Sequence, residues 1–526
     1  MSALIVDQLS FGWSPDELLL KQLSMTIDRE RAALVGRNGV GKSTLIQLLV
    51  GELTPFSGHV HLPKSWLYLS QIPKPDLTVG EALGIDDHLS ALRHIERGDA
   101  QAADYDLLEG NWDFEDRATH LLSAFDVPSR AWTDPLSSLS GGQSMRARLV
   151  RARLENPELL ILDEPTNNLD TDGLLWLNQF ISTWSSSLLV VSHERTLLSN
   201  MHRILELSPH GLKSYGGNYD LYQEAKTQER KNAQRRLLVT EKHLKHARRE
   251  AQVRKERTER RAALGKRTKS GSLPPVVIGN IKRRAETNAG KSQGVSERQV
   301  SDAKRQFDQA RQGIEIRDPF VFDIRSTGLS AKKRVLSVEE VTLQYESNED
   351  RVLERFSFSL MGPERIAIEG RNGSGKSTLL KAIADETKPS VGKIDMGVER
   401  HAFLRQDASG RVVDRTLMQH FFDENPGVSE NEAHAALARF GFRNAAVETP
   451  MQQLSGGERL RAPLAITLMS PTPPQLIILD EPANHMDLES GETLECALNG
   501  FDGALIVARH DRWFLNAIGI TRYVAL

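Results

Sequence analysis

The sequence predicts an α/β protein in which two copies of one layered domain are joined by an antiparallel α-helical hairpin. Three observations predict it. A set of short motifs occurs twice in the same order, about 315 to 335 residues apart. Each copy alternates short apolar runs of strand length with amphipathic runs, as a layered α/β domain requires. Between the copies lie 46 residues, Tyr219 to Leu264, without a single Gly or Pro.

Composition sets the outer bounds. A chain of 526 residues is too long for one core and fits two or three domains. Its one cysteine, Cys496, excludes a disulfide framework and a Cys-cluster zinc site, and points to a reducing compartment. No apolar run approaches the roughly 18 to 20 residues that span a bilayer. MSALIVDQLSFGW has no basic region followed by an apolar core, so no secretory signal is expected and the cytoplasm is the expected location. The net charge of −3 hides an asymmetry, because Lys226–Arg317 holds 26 basic and 10 acidic residues and the remainder holds 41 and 60. Such a split predicts a polyanion contact confined to one segment.

The first repeated element is a glycine loop. ERAALVG reads as a strand leading into GRNGVGKST at Gly36–Thr44, and STLIQLLVGEL then reads as a helix. The second copy is GRNGSGKST at Gly370–Thr378. Glycines at 36, 39 and 41, and at 370, 373 and 375, let successive N–H groups point at phosphate oxygens without a Cβ in the way. The helix start adds its positive dipole end. Gly36, Asn38, Gly39, Gly41, Lys42, Ser43 and Thr44 are therefore candidate nucleotide-binding residues. Gly370, Asn372, Gly373, Gly375, Lys376, Ser377 and Thr378 are the second set. Lys42 and Lys376 would reach the β- and γ-phosphates, and Ser43 and Ser377 can ligate Mg²⁺.

The second repeated element supplies a reaction. LLILDEPTNNLD (Leu159–Asp170) and LIILDEPANHMD (Leu476–Asp487) each end a buried strand with two carboxylates. Asp163 and Asp480 suit the Mg²⁺ coordination sphere through water, and Glu164 and Glu481 suit the orientation and deprotonation of an attacking water. A histidine follows each aspartate by 30 residues, His193 and His510, after the buried-strand runs SSLLVVS and GALIVAR. A third element, LSGGQ or LSGGE, places a serine and bare glycine amides before a helical run, a second anion site in each half. Its residues are Ser140, Gly141, Gly142 and Gln143 in one half, and Ser455, Gly456, Gly457 and Glu458 in the other. One phosphate loop per half already exists, so a second anion site suggests that the halves face each other and share nucleotides.

Together with a glutamine 29 or 30 residues after each loop lysine (Gln71 and Gln406), this set closely resembles the ATP-binding cassette ATPases. The resemblance implies two P-loop cassettes paired head to tail around two ATP molecules, with Mg²⁺, hydrolysing ATP to ADP and phosphate. Gly36–Thr44 would face Ser455–Glu458, and Gly370–Thr378 would face Ser140–Gln143. Gln71 and Gln406 would sense Mg²⁺ and the γ-phosphate, His193 and His510 would contact the γ-phosphate, and Asp170 and Asp487 would communicate between sites. Trp13 and Tyr345 occupy the adenine-stacking positions, with Phe11 an alternative to Trp13. The second half departs from the pattern at Ala483, at Met486, at Ala508-Arg509 where a Val-Ser pair is usual, and at Pro463, which should kink its helix or break a turn. Two hydrolysis-competent sites of unequal rate are expected.

The stretch between the copies is a candidate hairpin. Leu237, Thr240, Leu244, Ala247 and Ala251 recur in 3-4 spacing, as do Val300, Ala303, Phe307, Ala310 and Ile314. SGSLPPVVIGN between them breaks the helix, giving an irregular tip at about residues 265–294. Past Ala251 the seam gives way to Arg254, Lys255, Arg257, Arg260 and Arg261, and the far flank carries Lys282, Arg283 and Arg284. Contact with nucleic acid is expected, through shape and backbone of RNA rather than base edges, and strongly salt-dependent.

Two cassettes in one chain around such a linker, introduced by SYGGNYDLY at Ser214–Tyr222, resemble the ABC-F ATPases over essentially the whole chain. The expected domains are a first cassette at 1–218, a basic helical hairpin at 219–318 and a second cassette at 319–526. The resemblance implies a monomeric ribosome-associated ATPase that binds near the tRNA exit site. Its linker would be directed at ribosomal RNA, the P-site tRNA and the peptidyl-transferase region. Two alternatives share the cassette motifs, an ATPase component docking on separate membrane subunits of a transporter and a DNA-maintenance ATPase. The first leaves the basic hairpin unexplained, and the second usually carries cysteine pairs or places its coil within one cassette. Residues 85–112, surplus in the first half, fit either a small arm or a drifted surface loop.

Overall fold

The computed structural model describes residues 3–14, 17–128, 130–167, 169–267, 297–311, 324–344, 351–405, 415–442, 444–454, 456–482 and 486–526. Tyr345, Gln406, Ser455, Ala483, Ile314 and Lys282–Arg284 therefore lie outside the described residues, as does most of the anticipated tip. The chain divides into one compact unit, Met1–Asp220 with Phe320–Leu526, and a second unit, Leu221–Pro319.

Within the first unit each sequence copy builds the same scaffold. In the first copy a six-stranded sheet runs in the order Trp66–Leu69, Leu159–Asp163, Ser187–Val191, Arg31–Gly36, Arg203–Ser208, Gly211–Gly216. All neighbours are parallel except the last pair. The second copy aligns His401–Leu404, Leu476–Asp480, Ala504–Ala508, Arg365–Glu369 and Arg522–Ala525, all parallel. The near-continuous apolar runs of these strands follow from burial on both faces. Leu159–Asp163 is buried at every position, and Leu476–Asp480 at all but the last. At roughly 1.5 to 3 kcal/mol per fully buried Leu or Ile side chain, these runs hold the centre of each sheet.

A three-stranded antiparallel sheet lies beside each parallel one, Glu17–Ile27, Leu4–Ser14 and Ser57–His61 in the first copy. In the first copy Phe11 is buried, whereas Trp13 is 73% exposed with its edge against Phe11. The parallel arrangement brings the glycine loop, the carboxylate pair and the histidine to the same end of adjacent strands, where α/β ligand sites form.

A helical layer intervenes between the strands Trp66–Leu69 and Leu159–Asp163. Residues 85–112 form two helices in it, Asp86–Arg97 and Ala102–Leu108, with Leu89, Ala91 and Leu108 buried in the core of that layer. The second copy has the helices Leu417–Glu424, Glu430–Arg439 and Gly456–Leu468. Gly456–Leu468 continues through Pro463, where the missing N–H removes one donor from the turn.

The second unit is helical. The helix Tyr219–Arg267 enters it and continues through Gly265, three residues past the Gly- and Pro-free stretch. Residues 297–311 form the returning arm. Leu244 is buried and Leu237, Thr240, Ala247 and Ala251 are half-buried, while Leu238 and Val239 one step off the seam are more than half exposed. Val300, Ala303, Phe307 and Ala310 are likewise half-buried. Arg254 donates to Gln299 Oε1 at 3.3 Å across the arms. Arg248, Arg249, Lys255, Arg257 and Arg260 are exposed.

Candidate functional site

The glycine loops are tied to their helices by backbone conformations that suit glycine. Gly41 and Gly375 cap the helices Lys42–Leu49 and Lys376–Ile383 at φ 103° and 93°. A Cβ on Gly41 would also meet the Leu19 and Leu20 side chains at 3.1 and 3.2 Å. Both loop lysines are buried and curl back over their loops. Lys42 Nζ donates to the Gly36 carbonyl at 2.7 Å, and Lys376 Nζ to the Gly370 carbonyl at 2.7 Å. Burial lowers both lysine pKa values, opposed at Lys42 by Glu164, Asp487 and Asp163, and at Lys376 by Glu481, Asp170 and Asp480.

The carboxylate pairs have a feature that no sequence pattern announces. Glu164 and Glu481 both sit at left-handed φ, 46° and 45°. That conformation is unfavourable for a residue with a Cβ and is held by the fold. The Glu164 N–H donates to the Val191 carbonyl at 2.8 Å and the Glu481 N–H to the Ala508 carbonyl at 2.9 Å, each on the neighbouring histidine strand. The turn swings the glutamate off the strand axis while the aspartate stays in the strand.

Asp163 accepts from the Tyr68 hydroxyl at 3.4 Å, and Asp480 from Ser377 Oγ at 3.1 Å. Burial pushes both aspartates up, opposed by those hydrogen bonds and by the loop lysines. Burial also pushes Glu164 up to about 8, with Lys42 opposing and Asp163 and Glu194 adding to it. His193 is pushed down to about 3 by burial and Lys42, and His510 to about 4 by burial and Lys376, so both imidazoles are neutral at pH 7. The Glu164 carboxylate lies 3.5 Å from His193 Nε2.

The two copies meet in a pseudo-symmetric interface. Asp487 caps the helix Leu488–Gly500 through Ser490 N–H at 2.8 Å and accepts the Asn38 N–H of the opposite glycine loop at 2.9 Å. Asp170 does the same, capping Thr171–Ser182 through Gly173 N–H and accepting from the Asn372 backbone. Against burial, these bonds hold both aspartates below the usual carboxylate range. Arg37 pairs with Glu489 at 3.3 Å and Arg371 with Asp172 at 3.9 Å, again counterparts. A cavity of about 290 Å³ between the copies is lined by Glu164, His193 and Glu194 from one and Glu481, Arg509 and His510 from the other.

Other predicted residues are less enclosed. Gln71 is exposed at the bend after Trp66–Leu69, next to Ser70, whose carbonyl accepts from buried Arg148 at 2.6 Å. Ser43 is exposed, and Thr44 is buried in the helix start. Ser140 caps its own helix in a reciprocal box with Gln143, at 3.3 and 3.1 Å, ahead of Gly141 and Gly142. The helix beginning at Gly456 carries Gly457 and Glu458 in its first turn.

The Ala508-Arg509 departure has a structural partner. In the first copy Thr166 and Ser192 hydroxyls lie 3.4 Å apart, and Ser192 Oγ accepts the Glu194 N–H. Their counterparts by spacing are Ala483 and Arg509, so both members of that hydroxyl pair are replaced together. Arg509 instead pairs with Asp511 at 2.8 Å and stacks over Phe514 at 4.4 Å.

The family model described as ABC transporter matches residues 20–167 and 353–484, both copies of the scaffold. YdiF of Bacillus subtilis (strain 168), a protein named for ATP binding, is 33% identical over 552 residues, covering 100% of this chain and 80% of its own. This chain belongs to the ATP-binding cassette family and is of the ABC-F type. The ATP-binding protein Uup of Escherichia coli (strain K12) is 29% identical to it over 543 residues, covering 97% of this chain and 77% of its own. Among solved structures, the RNase-L Inhibitor matches this ABC-F chain at TM-score 0.54 and 18% identity, covering 98% of it and 87% of the other. The archaeal ribosome recycling factor aABCE1, solved with the archaeal ribosomal stalk protein aP1, matches at TM-score 0.55 and 18% identity, covering 97% and 86%. These two likenesses establish the shared fold of paired cassettes. Among the described residues of this ABC-F protein, no helix is long and apolar enough to cross a membrane.

Proposed function

We propose that this ATP-binding protein hydrolyses ATP to ADP and phosphate at two composite sites and uses the cycle to act on the ribosome in the cytoplasm. Each site would take its phosphate loop, carboxylate pair and histidine from one cassette and its serine-glycine helix start from the other. Lys42 and Lys376 would exchange their loop carbonyls for phosphate oxygens. Glu164 and Glu481, swung off the strand ends, would orient the attacking water and take its proton. A neutral His193 or His510 would steady the γ-phosphate. Trp13, largely exposed, offers its ring to adenine on the first side, and Tyr345 is the corresponding proposal on the second.

The donor set fits Mg²⁺. Ser377 and Asp480, 3.1 Å apart, and their counterparts Ser43 and Asp163 are hard oxygen donors, few enough to leave most of the coordination shell to phosphate and water. Gln71 and Gln406 would complete it. Bound there, Mg²⁺ would neutralise charge developing on the phosphates.

The observation that carries the ribosome reading is the hairpin. Its arms pack on an apolar seam and present Arg248, Arg249, Lys255, Arg257 and Arg260 to solvent, with few acids to neutralise them. We assign residues 1–218 and 319–526 to the cassettes and 219–318 to this linker, which would contact ribosomal RNA and the P-site tRNA from the tRNA exit side. The test is ribosome co-sedimentation of the Glu164→Gln, Glu481→Gln protein with and without ATP. ATP-dependent binding that disappears when residues 245–291 are shortened is expected. Absence of binding at low salt would refute the reading and favour membrane subunits or DNA as partner.

A further inference from the structure

We infer that the Thr171 hydroxyl fixes the tautomer of His510, and that it does so at one of the two sites only. The inference rests on the proposed role of His510 at the γ-phosphate. Thr171 opens the helix that follows Asp170 in the first cassette, and its Oγ1 lies 2.9 Å from Nδ1 of His510 in the second cassette. The opposite ring nitrogen, Nε2, is buried at the cavity and has no hydrogen-bond partner among the described residues.

A neutral imidazole carries one proton, on one nitrogen or the other. With the proton on Nδ1, the Nε2 lone pair would face a phosphate oxygen and repel it. With the proton on Nε2, that nitrogen donates to the phosphate, and Nδ1 becomes a buried acceptor in need of a donor. The Thr171 hydroxyl is placed to be that donor. It thus stabilises the tautomer that the anion requires and sets the plane of the ring, as a partner on the far nitrogen does for catalytic and metal-bound histidines.

The other half lacks the device. Counting from the Asp-Glu pair, the counterpart of Thr171 is Leu488, which has no donor. Nδ1 of His193 is buried and has no hydrogen-bond partner among the described residues. The Asp caps and the Arg37–Glu489 and Arg371–Asp172 pairs are repeated on both sides, so the missing hydroxyl is a difference between two sites whose neighbouring contacts correspond. The site containing Lys376, Glu481 and His510 therefore has the better-held histidine.

The test isolates that site in a Glu164→Gln background. Thr171→Val removes the donor at nearly constant shape, and it should lower kcat about tenfold, the scale of one unsatisfied buried acceptor, with ATP KM little changed. Thr171→Ser should restore most of the rate. The ¹⁵N signals of His510, assigned by their loss in His510→Gln, should report an Nε2–H tautomer in the parent protein with Mg-ATP and a mixture in Thr171→Val. If Thr171→Val changes neither the rate nor the tautomer while His510→Gln abolishes turnover, the inference fails and the reading of the site stands. If His510→Gln itself leaves turnover unchanged, both fail.

Discussion

The pair Arg195–Glu495 offers a quantitative test of cassette closure. Arg195 begins the helix Arg195–Leu198 of the first cassette, and its guanidinium meets Glu495 on the helix Leu488–Gly500 of the second at 2.8 Å, with side chains 11% and 13% exposed. The counterpart of Arg195 by spacing is Arg512, which pairs with Glu369 of its own cassette at 2.8 Å, so among the described residues this cross-cassette pair has no twin. Glu495→Gln leaves an arginine buried without its counter-charge only when the cassettes close. Removing one partner of a buried pair costs about 3–5 kcal/mol, and the residual exposure argues for the lower figure. A cost of ~3 kcal/mol is about a 150-fold loss in the closing equilibrium. Replacing both residues with Met removes both desolvation costs and should return closure to within ~1 kcal/mol of the parent. The assay is half-saturating ATP for closure in a Glu164→Gln, Glu481→Gln background, read by energy transfer between dyes on the two cassettes. The reasoning is refuted if Glu495→Gln and Arg195→Met each shift the midpoint by less than threefold, or if the double replacement sums the two losses.

Three further outcomes follow from the same geometry. Arg148→Met releases the Ser70 carbonyl beside Gln71, and should cut turnover of the first site about tenfold, measured in Glu481→Gln, while leaving the second site unchanged. Burial pushes the Glu194 carboxyl up to about 7, with Asp511 adding to the shift and Arg509 opposing it, so the folded state loses stability as pH rises from about 4.5 to about 7. Glu194→Gln should therefore raise Tm at pH 8 by the equivalent of about 1–2 kcal/mol, discounted for partial exposure, with the gap closing at pH 4.5. Leu244→Ala truncates a buried leucine of the hairpin seam and should speed hydrogen exchange in both arms, at a local cost of about 2–3 kcal/mol, without changing ATP affinity.

Much of this protein is legible in its sequence because its elements obey local rules. The glycine loops announce themselves because only glycine lets the backbone face phosphate, and Gly41 and Gly375 occupy left-handed cap positions. The hairpin is legible because a seam of period 3.5 has few other uses, and Leu244 and its neighbours are the less exposed positions. The positive φ of Glu164 and Glu481 was not legible, since it depends on a bond to the adjacent strand rather than on residue type. Thr171 and Arg148 escaped for a related reason, their partners lying 339 and 78 residues away in sequence. Pro463 is legible in the sequence only as a lost backbone donor. It occupies the position of Arg148, so what the second copy lacks there is a buried cation as well as a backbone donor.

The central claim, two composite sites that hydrolyse ATP through paired glutamates, is tested most directly by single-turnover hydrolysis in Glu164→Gln, Glu481→Gln and the double variant, with ATP binding measured in parallel. The account predicts unequal losses in the single variants, and at least a hundredfold loss in the double with ATP still bound. Turnover within twofold of the parent in the double variant would contradict it.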